Sequence, residues 1–316
     1  MGFGEILKKE GQPEANDIAR PVAVPKDSSL VLQPTSPLYT MEDLVLPRHI
    51  KDKLLDGASY LLNSKRVYEE WGLATTHKYS KKMGINLWGP PGTGKTMAAH
   101  AIAAYMQRDI LLINYAEIES KYVGETSKNL VKAFATAKAT NSILFFDEAD
   151  AILSRRVTNM RSSNDVSVNQ TRSVMLMELN NFQDVVIYAT NFLENFDPAF
   201  MRRIQSHIKF ELPDEECRRL LWRKYIPRAM PNNINIEALA QDFSNISGSD
   251  IANAILNAAF TAARLGQSFV GHHLVEEAIN GILLSKRANE KQAPTVTTRK
   301  VSEEYAQEQL RRKEER

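Results

Sequence analysis

Apolar residues along the chain fall into two regimes. From "MEDLVLPRHIKDKLLDGASYLL" they recur at helical spacing, and five short, nearly continuous apolar runs follow: "GINLWG", "DILLIN", "SILFFD", "VVIYAT" and "HIKFEL". Longer helical stretches separate the runs. A strand that is apolar at successive positions has both faces covered, which is the condition of a parallel sheet between helix layers. The alternation predicts an α/β fold, a parallel sheet flanked by helices on both faces.

After Pro213 the strands stop. "DEECRRLLWRKYI", "NIEALAQDF", "SGSDIANAILNAAFTAARLG" and "HHLVEEAINGILLSKR" follow one another with helical periodicity and predict a small helical subdomain. The expected organisation is an N-terminal arm over 1–40, a large α/β subdomain over 41–212, a helical subdomain over 213–287 and a charged tail over 288–316. The arm holds five of the thirteen prolines and no sustained apolar period, so it is expected to be disordered or a partner-docking segment.

Composition adds mostly exclusions. A formal charge of +2 with acidic and basic residues intermixed gives no stripe for nucleic acid, and none is expected as a partner. The lone cysteine, Cys217, excludes an internal disulfide, and neither a Cys/His cluster nor an "HExxH" pair offers metal-ligand spacing. No run of about 18 apolar residues occurs, and the opening "MGFGEILKKE" has neither a signal-peptide core nor a myristoylation pattern. The expectation is a cytoplasmic protein without a membrane partner.

"GPPGTGKT" (89–96) carries the chemistry. It satisfies G-x-x-x-x-G-K-[ST] and lies between the strand "GINLW" and the helix "TMAAHAIAAYMQ", the context in which such a loop wraps polyphosphate. Gly92 and Gly94 let backbone amides of the Pro91–Met97 segment, Thr93 included, turn toward the phosphates, and the helix N-terminus adds partial positive charge. Lys95 meets the β- and γ-phosphates, and the Thr96 hydroxyl joins a Mg²⁺ coordination sphere.

The third run, "SILFFDEAD", ends in carboxylates. Asp147 at the strand's C-terminal end is placed to hold Mg²⁺ through water, and Glu148 to polarise an attacking water. "DEAD" also occurs in RNA helicases, but those need a second sheet-containing motor domain, and this chain turns helical soon after residue 211. The fourth run ends in Asn191, whose neutral amide can hydrogen-bond a γ-phosphate or the lytic water.

The ordered set "GPPGTGKT", "SKYVGET", "FFDEAD", "YATN", "FDPAFMRRI" and "SGSDIANAILNAA" resembles the AAA family of ATPases, its AAA branch rather than the wider AAA+ group. The resemblance implies a P-loop ATPase sheet followed by a helical lid, with ATP and Mg²⁺ as cofactors. It also implies a homo-oligomeric, hexameric ring with nucleotide at subunit boundaries. Arg202 and Arg203 fall in the arginine-finger segment and would reach a neighbour's site; which one contacts the γ-phosphate stays open. "ESKYVGET" is similar to the first pore loop, with Tyr122 flanked by Lys121 and Val123 gripping a protein substrate. Gly248 and Ser249 fall in the lid segment that contacts adenosine, with Ser249 where the family commonly has alanine, and Asp43 and Leu44 fall where its backbone cradles adenine.

The implied function is a Mg²⁺-dependent ATPase that remodels, disassembles or threads proteins, recognised directly or through an adaptor. The alternative is a nucleotide-controlled assembly switch that threads nothing.

Overall fold

The computed structural model describes residues 32–77, 82–114, 125–153, 163–191 and 196–292. Helix α1 (Arg48–Leu62) leads through a π-helical turn (Arg66–Glu70) to β1 (Met83–Trp88). Then come α2 (Lys95–Tyr105), β2 (Ile110–Asn114), α3 (Glu125–Thr140), β3 (Ile143–Asp147) and the short α4 (Asp150–Leu153). The sheet module finishes with α5 (Ser163–Asn181), β4 (Val185–Thr190), α6 (Pro198–Met201) and β5 (Ser206–Lys209). Four helices follow: α7 (Glu215–Tyr225), α8 (Ile236–Asp242), α9 (Gly248–Arg264) and α10 (His272–Gln292).

All five expected strands form, and every pairing in the order β2-β3-β4-β1-β5 is parallel. The strands' C-terminal ends therefore share one edge: Trp88 pairs with Thr190, and Asn114 with Asp147. That edge of an open α/β sheet is where ligands bind.

Side chains alternate across the sheet, as the two-residue period requires. Ile85, Leu87, Phe145 and Ile187 join the core shared with Ile50 and Leu54 of α1 and Ile102 of α2. Phe146 and Tyr188 stack at 5.8 Å between ring centroids, and Phe134 of α3 meets Phe146 at 5.9 Å and Phe182 at 5.2 Å. Covering both faces explains why the strands read as continuous apolar runs.

Residues 32–40, assigned on sequence to the arm, lie along β2. Thr35 exchanges both backbone hydrogen bonds with Ile110 at 2.9 Å, pairing antiparallel at the sheet edge. The Leu38 N–H donates to His100 Nδ1 at 3.3 Å, and the Tyr39 ring stands edge-on to His100 at 5.9 Å. Residues 1–31 and the tail from 293 lie outside the described residues.

At the N-terminal ends of the strands, Arg108 donates to both Asp184 oxygens, at 2.7 and 2.6 Å, and its Nε donates to Asn141 O at 2.8 Å. This fork joins the chain after α2 to the start of β4.

The helical region has its own core, built from Trp222, Leu239, Ile251, Ala254, Ala258, Val275 and Ile279. A capping box opens α9: the Ser247 hydroxyl accepts from the Asp250 N–H, and the Asp250 carboxylate accepts from the Ser247 N–H. Lys286 of α10 also pairs with Asp250, so the first turn of α9 is fixed in place.

Candidate functional site

Between β1 and α2 the chain turns through the phosphate-loop motif. Gly94 caps α2 at φ +97°, a left-handed conformation unfavourable for a side chain. Gly92, at φ +74°, meets the lid: an added Cβ would lie 2.0 Å from Ser249 Oγ and 2.6 Å from Ser247 Oγ. The Ser249 N–H donates to Gly92 O at 3.2 Å, so the N-terminus of α9 rests directly on the loop.

Lys95 is buried and donates to Gly89 O at 2.8 Å, Pro90 O at 2.9 Å and Asn191 Oδ1 at 2.9 Å. Burial pulls its pKa below the usual lysine value, and the charges of Asp147 and Asp150 oppose that shift. Thr96 Oγ1 donates to Asp147 Oδ2 at 2.9 Å. The Glu148 N–H donates to Asp147 Oδ1, also at 2.9 Å. Glu148 is exposed at φ +51°, a left-handed conformation costing on the order of 1–2 kcal/mol for a residue with a side chain. Strain held at a position facing a cavity is a pointer to function.

These groups border one cavity of about 460 Å³. Its wall contains Asp43 and Leu44, Pro91, Gly92, Thr93, Gly94, Lys95, Thr96 and Met97. Asp147, Glu148, Asn191, Gly248 and Ser249 complete the sequence-predicted set there. Lys224 and Tyr225 of α7 and Asn253 of α9 also line it and were not anticipated. Lys224 donates to Asp43 O at 2.5 Å, which ties the lid to the chain preceding α1. On sequence, Lys224 and Tyr225 mark only a helix end.

The arrangement fits a nucleoside polyphosphate with a magnesium ion. A glycine turn ends at a helix N-terminus beside a buried ammonium, which suits polyphosphate. One hydroxyl and one carboxylate, already 2.9 Å apart, suit a hard cation that keeps most of its waters and takes its other ligands from phosphate. Among the described residues there is no cluster of three His, Cys, Asp or Glu side chains that would hold a metal by protein alone.

Arg202 and Arg203 do not face this cavity. They border a smaller depression with Lys82, Gly84, Asn180 and Gln205. Arg203 donates from Nε to Asn180 Oδ1 at 2.8 Å and from Nη1 to Ala199 O at 2.6 Å, whereas Arg202 is exposed. Lys121, Tyr122 and Val123 lie outside the described residues.

Fold and cavity together define a P-loop nucleotide-binding module: a five-stranded parallel sheet with a helical lid set against its phosphate loop. The family model described as "ATPase family associated with various cellular activities (AAA)" matches residues 85–212. The chain is 35% identical over 215 residues to a proteasome-activating nucleotidase of Saccharolobus solfataricus, covering 66% of this chain and 54% of that protein. It is 33% identical over 225 residues to the proteasome-activating nucleotidase of Sulfurisphaera tokodaii, covering 69% and 56%. An ATP-dependent zinc metalloprotease, FtsH 2 of Sphaerobacter thermophilus, is 29% identical over 266 residues, covering 82% and 39%. The chain belongs to the AAA family of ATPases. It spans about half the length of these nucleotidases. Among the described residues no helix is long and apolar enough to cross a membrane.

Proposed function

We propose that the chain hydrolyses ATP with Mg²⁺ as a subunit of a cytoplasmic hexameric ring that remodels or threads protein substrates. The observation that carries this reading is the convergence of Lys95, Thr96, Asp147, Glu148 and Asn191 on one cavity against which the lid's Ser249 is set. Relatives named for activating proteasomes and for ATP-dependent proteolysis support a protein as substrate.

The loop amides and Lys95 hold the phosphates, and Glu148 orients the attacking water and takes its proton. Asn191, already bonded to Lys95, fixes the γ-phosphate side of the cavity. Mg²⁺ held at Thr96 and Asp147 would neutralise charge on the β- and γ-oxygens. Arg202 and Arg203 point away from their own cavity, as side chains destined for a neighbouring copy's site would. The Tyr122 loop, with Lys121 and Val123, is assigned the grip on substrate.

Glu148→Gln keeps the carboxylate's size and removes its basicity. Nucleotide affinity should hold while turnover falls about 10² to 10⁴-fold, the usual worth of a positioned base. Unchanged turnover would remove Glu148 from the mechanism. Proteins retained by this variant in ATP, identified after co-purification, would name the substrate.

A further inference from the structure

The last carbonyls of a helix need partners from outside it, and the short α6 ends immediately before Arg202 and Arg203. The Arg202 N–H donates to Pro198 O at 3.2 Å and the Arg203 N–H to Phe200 O at 2.8 Å. Arg203 Nη1 takes Ala199 O at 2.6 Å. The backbone of Met201 goes to His207 of β5, whose imidazole hydrogen-bonds to it and to the backbone of Ile204. Burial lowers the pKa of this ring and the two bonds oppose the shift, as bonds that the ring donates must.

Met201 precedes the arginines and Ile204 follows them, so one side chain spans the pair. His207 stands in register with Asn86 of β1, its Nδ1 3.5 Å from Asn86 Nδ2. Asn86 is fully buried, on a strand paired on both sides, by β4 and β5. Gly84, two residues earlier, holds the far end of the turn. Its N–H donates to Gln205 Oε1 at 2.6 Å, and its carbonyl accepts from the Gln205 N–H at 3.1 Å. A Cβ on Gly84 would lie 3.0 Å from Ile204 Cα and 3.1 Å from Arg203 O, so the turn rests directly on β1.

We propose that His207 is a positioning residue for the donated arginines, its ring bracing the turn 202–205 against the sheet. This rests on the reading that Arg202 and Arg203 serve a neighbouring copy, and it says what aims them there. His207 touches no reacting atom and acts through the backbone on either side of the pair. Arg203 is tied down further by Asn180, whereas the exposed Arg202 takes its direction from the turn alone.

The test separates the copy that gives arginines from the copy that receives them. The giver is Glu148→Gln, with its arginines intact; the receiver is Arg202→Ala/Arg203→Ala, with its pocket intact. ATP hydrolysis by their mixture reads the donated arginines alone. His207→Leu keeps bulk but donates nothing. Placed in the giver, it should lower the mixture's turnover at least about tenfold, since misplacing a catalytic group by 1 Å can cost about 10²-fold. Placed in the receiver, whose arginines are already gone, it should change little. His207→Gln in the giver should restore most of the turnover, because its amide can still donate. Unchanged ATP affinity in each chain verifies folding.

A giver carrying His207→Leu that works as well as the unmodified giver overturns the proposal. An equal loss from either placement also overturns it, because it marks a general effect on the fold. His207→Gln as poor as His207→Leu removes the hydrogen bonds as the cause. If the unmodified giver and receiver form mixed oligomers and still show no added turnover, the shared site itself falls, and this role with it.

Discussion

Replacing Gly92 by alanine tests whether the lid rests on the phosphate loop in solution. Two separable penalties arise. The residue must keep φ +74°, which costs an L side chain on the order of 1–2 kcal/mol. The new methyl would also fall 2.0 Å from Ser249 Oγ, forcing the first turn of α9 back and weakening the 3.2 Å bond from Ser249 N–H to Gly92 O. Losing such a bond adds about 1 kcal/mol. Gly92→Ala should therefore weaken nucleotide binding by about 2–3 kcal/mol, or about 30- to 150-fold.

Ser249→Ala removes the closest obstructing atom and leaves the φ penalty untouched. In the double variant the steric part should return, giving a coupling above about 0.5 kcal/mol in a double-mutant cycle. Titration calorimetry with ATP on the four proteins, in the Glu148→Gln background, measures it. Additivity within about 0.3 kcal/mol would refute the direct contact.

His100 accepts from the Leu38 N–H, and burial lowers its pKa below the ordinary 6.5. His207 is lowered in the same direction, also chiefly by burial. A depressed imidazole pKa means the unfolded chain binds protons first, so this stability is complete above 6.5 and declines as pH falls through the lowered folded values. The melting temperature should drop on acidification below about 6.5, and His100→Gln should flatten part of that slope; an unchanged slope would remove His100 as a contributor. Arg108→Ala breaks a largely buried fork on Asp184 and should cost about 2–4 kcal/mol in denaturant unfolding. A loss within about 0.5 kcal/mol would mean that the ion pair contributes only what a surface pair does.

The strands were legible because a sheet covered on both faces must be apolar at consecutive positions, and the helical region because its buried residues recur every three or four. The phosphate loop was legible because each of its residue types answers a local demand. The capping box that opens α9 is local too, although on sequence its residues were read only as the start of a helical stretch.

Docking was not legible. Which face of α7 turns Lys224 and Tyr225 into the cavity depends on how the helical region sits against the sheet, and no periodicity within α7 encodes that. The segment 32–40 carries prolines and no period, and its position comes from non-local partners, Ile110 and His100. The residues around Arg202 and Arg203 gave no sign of where the pair sits, and the structure sets both in a separate depression beside Asn180 and Gln205. The π-helical turn at Arg66–Glu70 is likewise announced by no sequence pattern.

The central claim is that each nucleotide site is completed by the adjoining copy. Two inactive chains test it together: Glu148→Gln, with intact arginines, and Arg202→Ala/Arg203→Ala, with an intact pocket. Each alone should bind ATP with little turnover, since a donated arginine is worth about 10³ to 10⁵ in related sites. Mixed, they should recover ATP hydrolysis at interfaces where the first chain lends arginines to the second. Turnover in the mixture no greater than the sum of the separate chains, with mixed oligomers verified, would contradict the account.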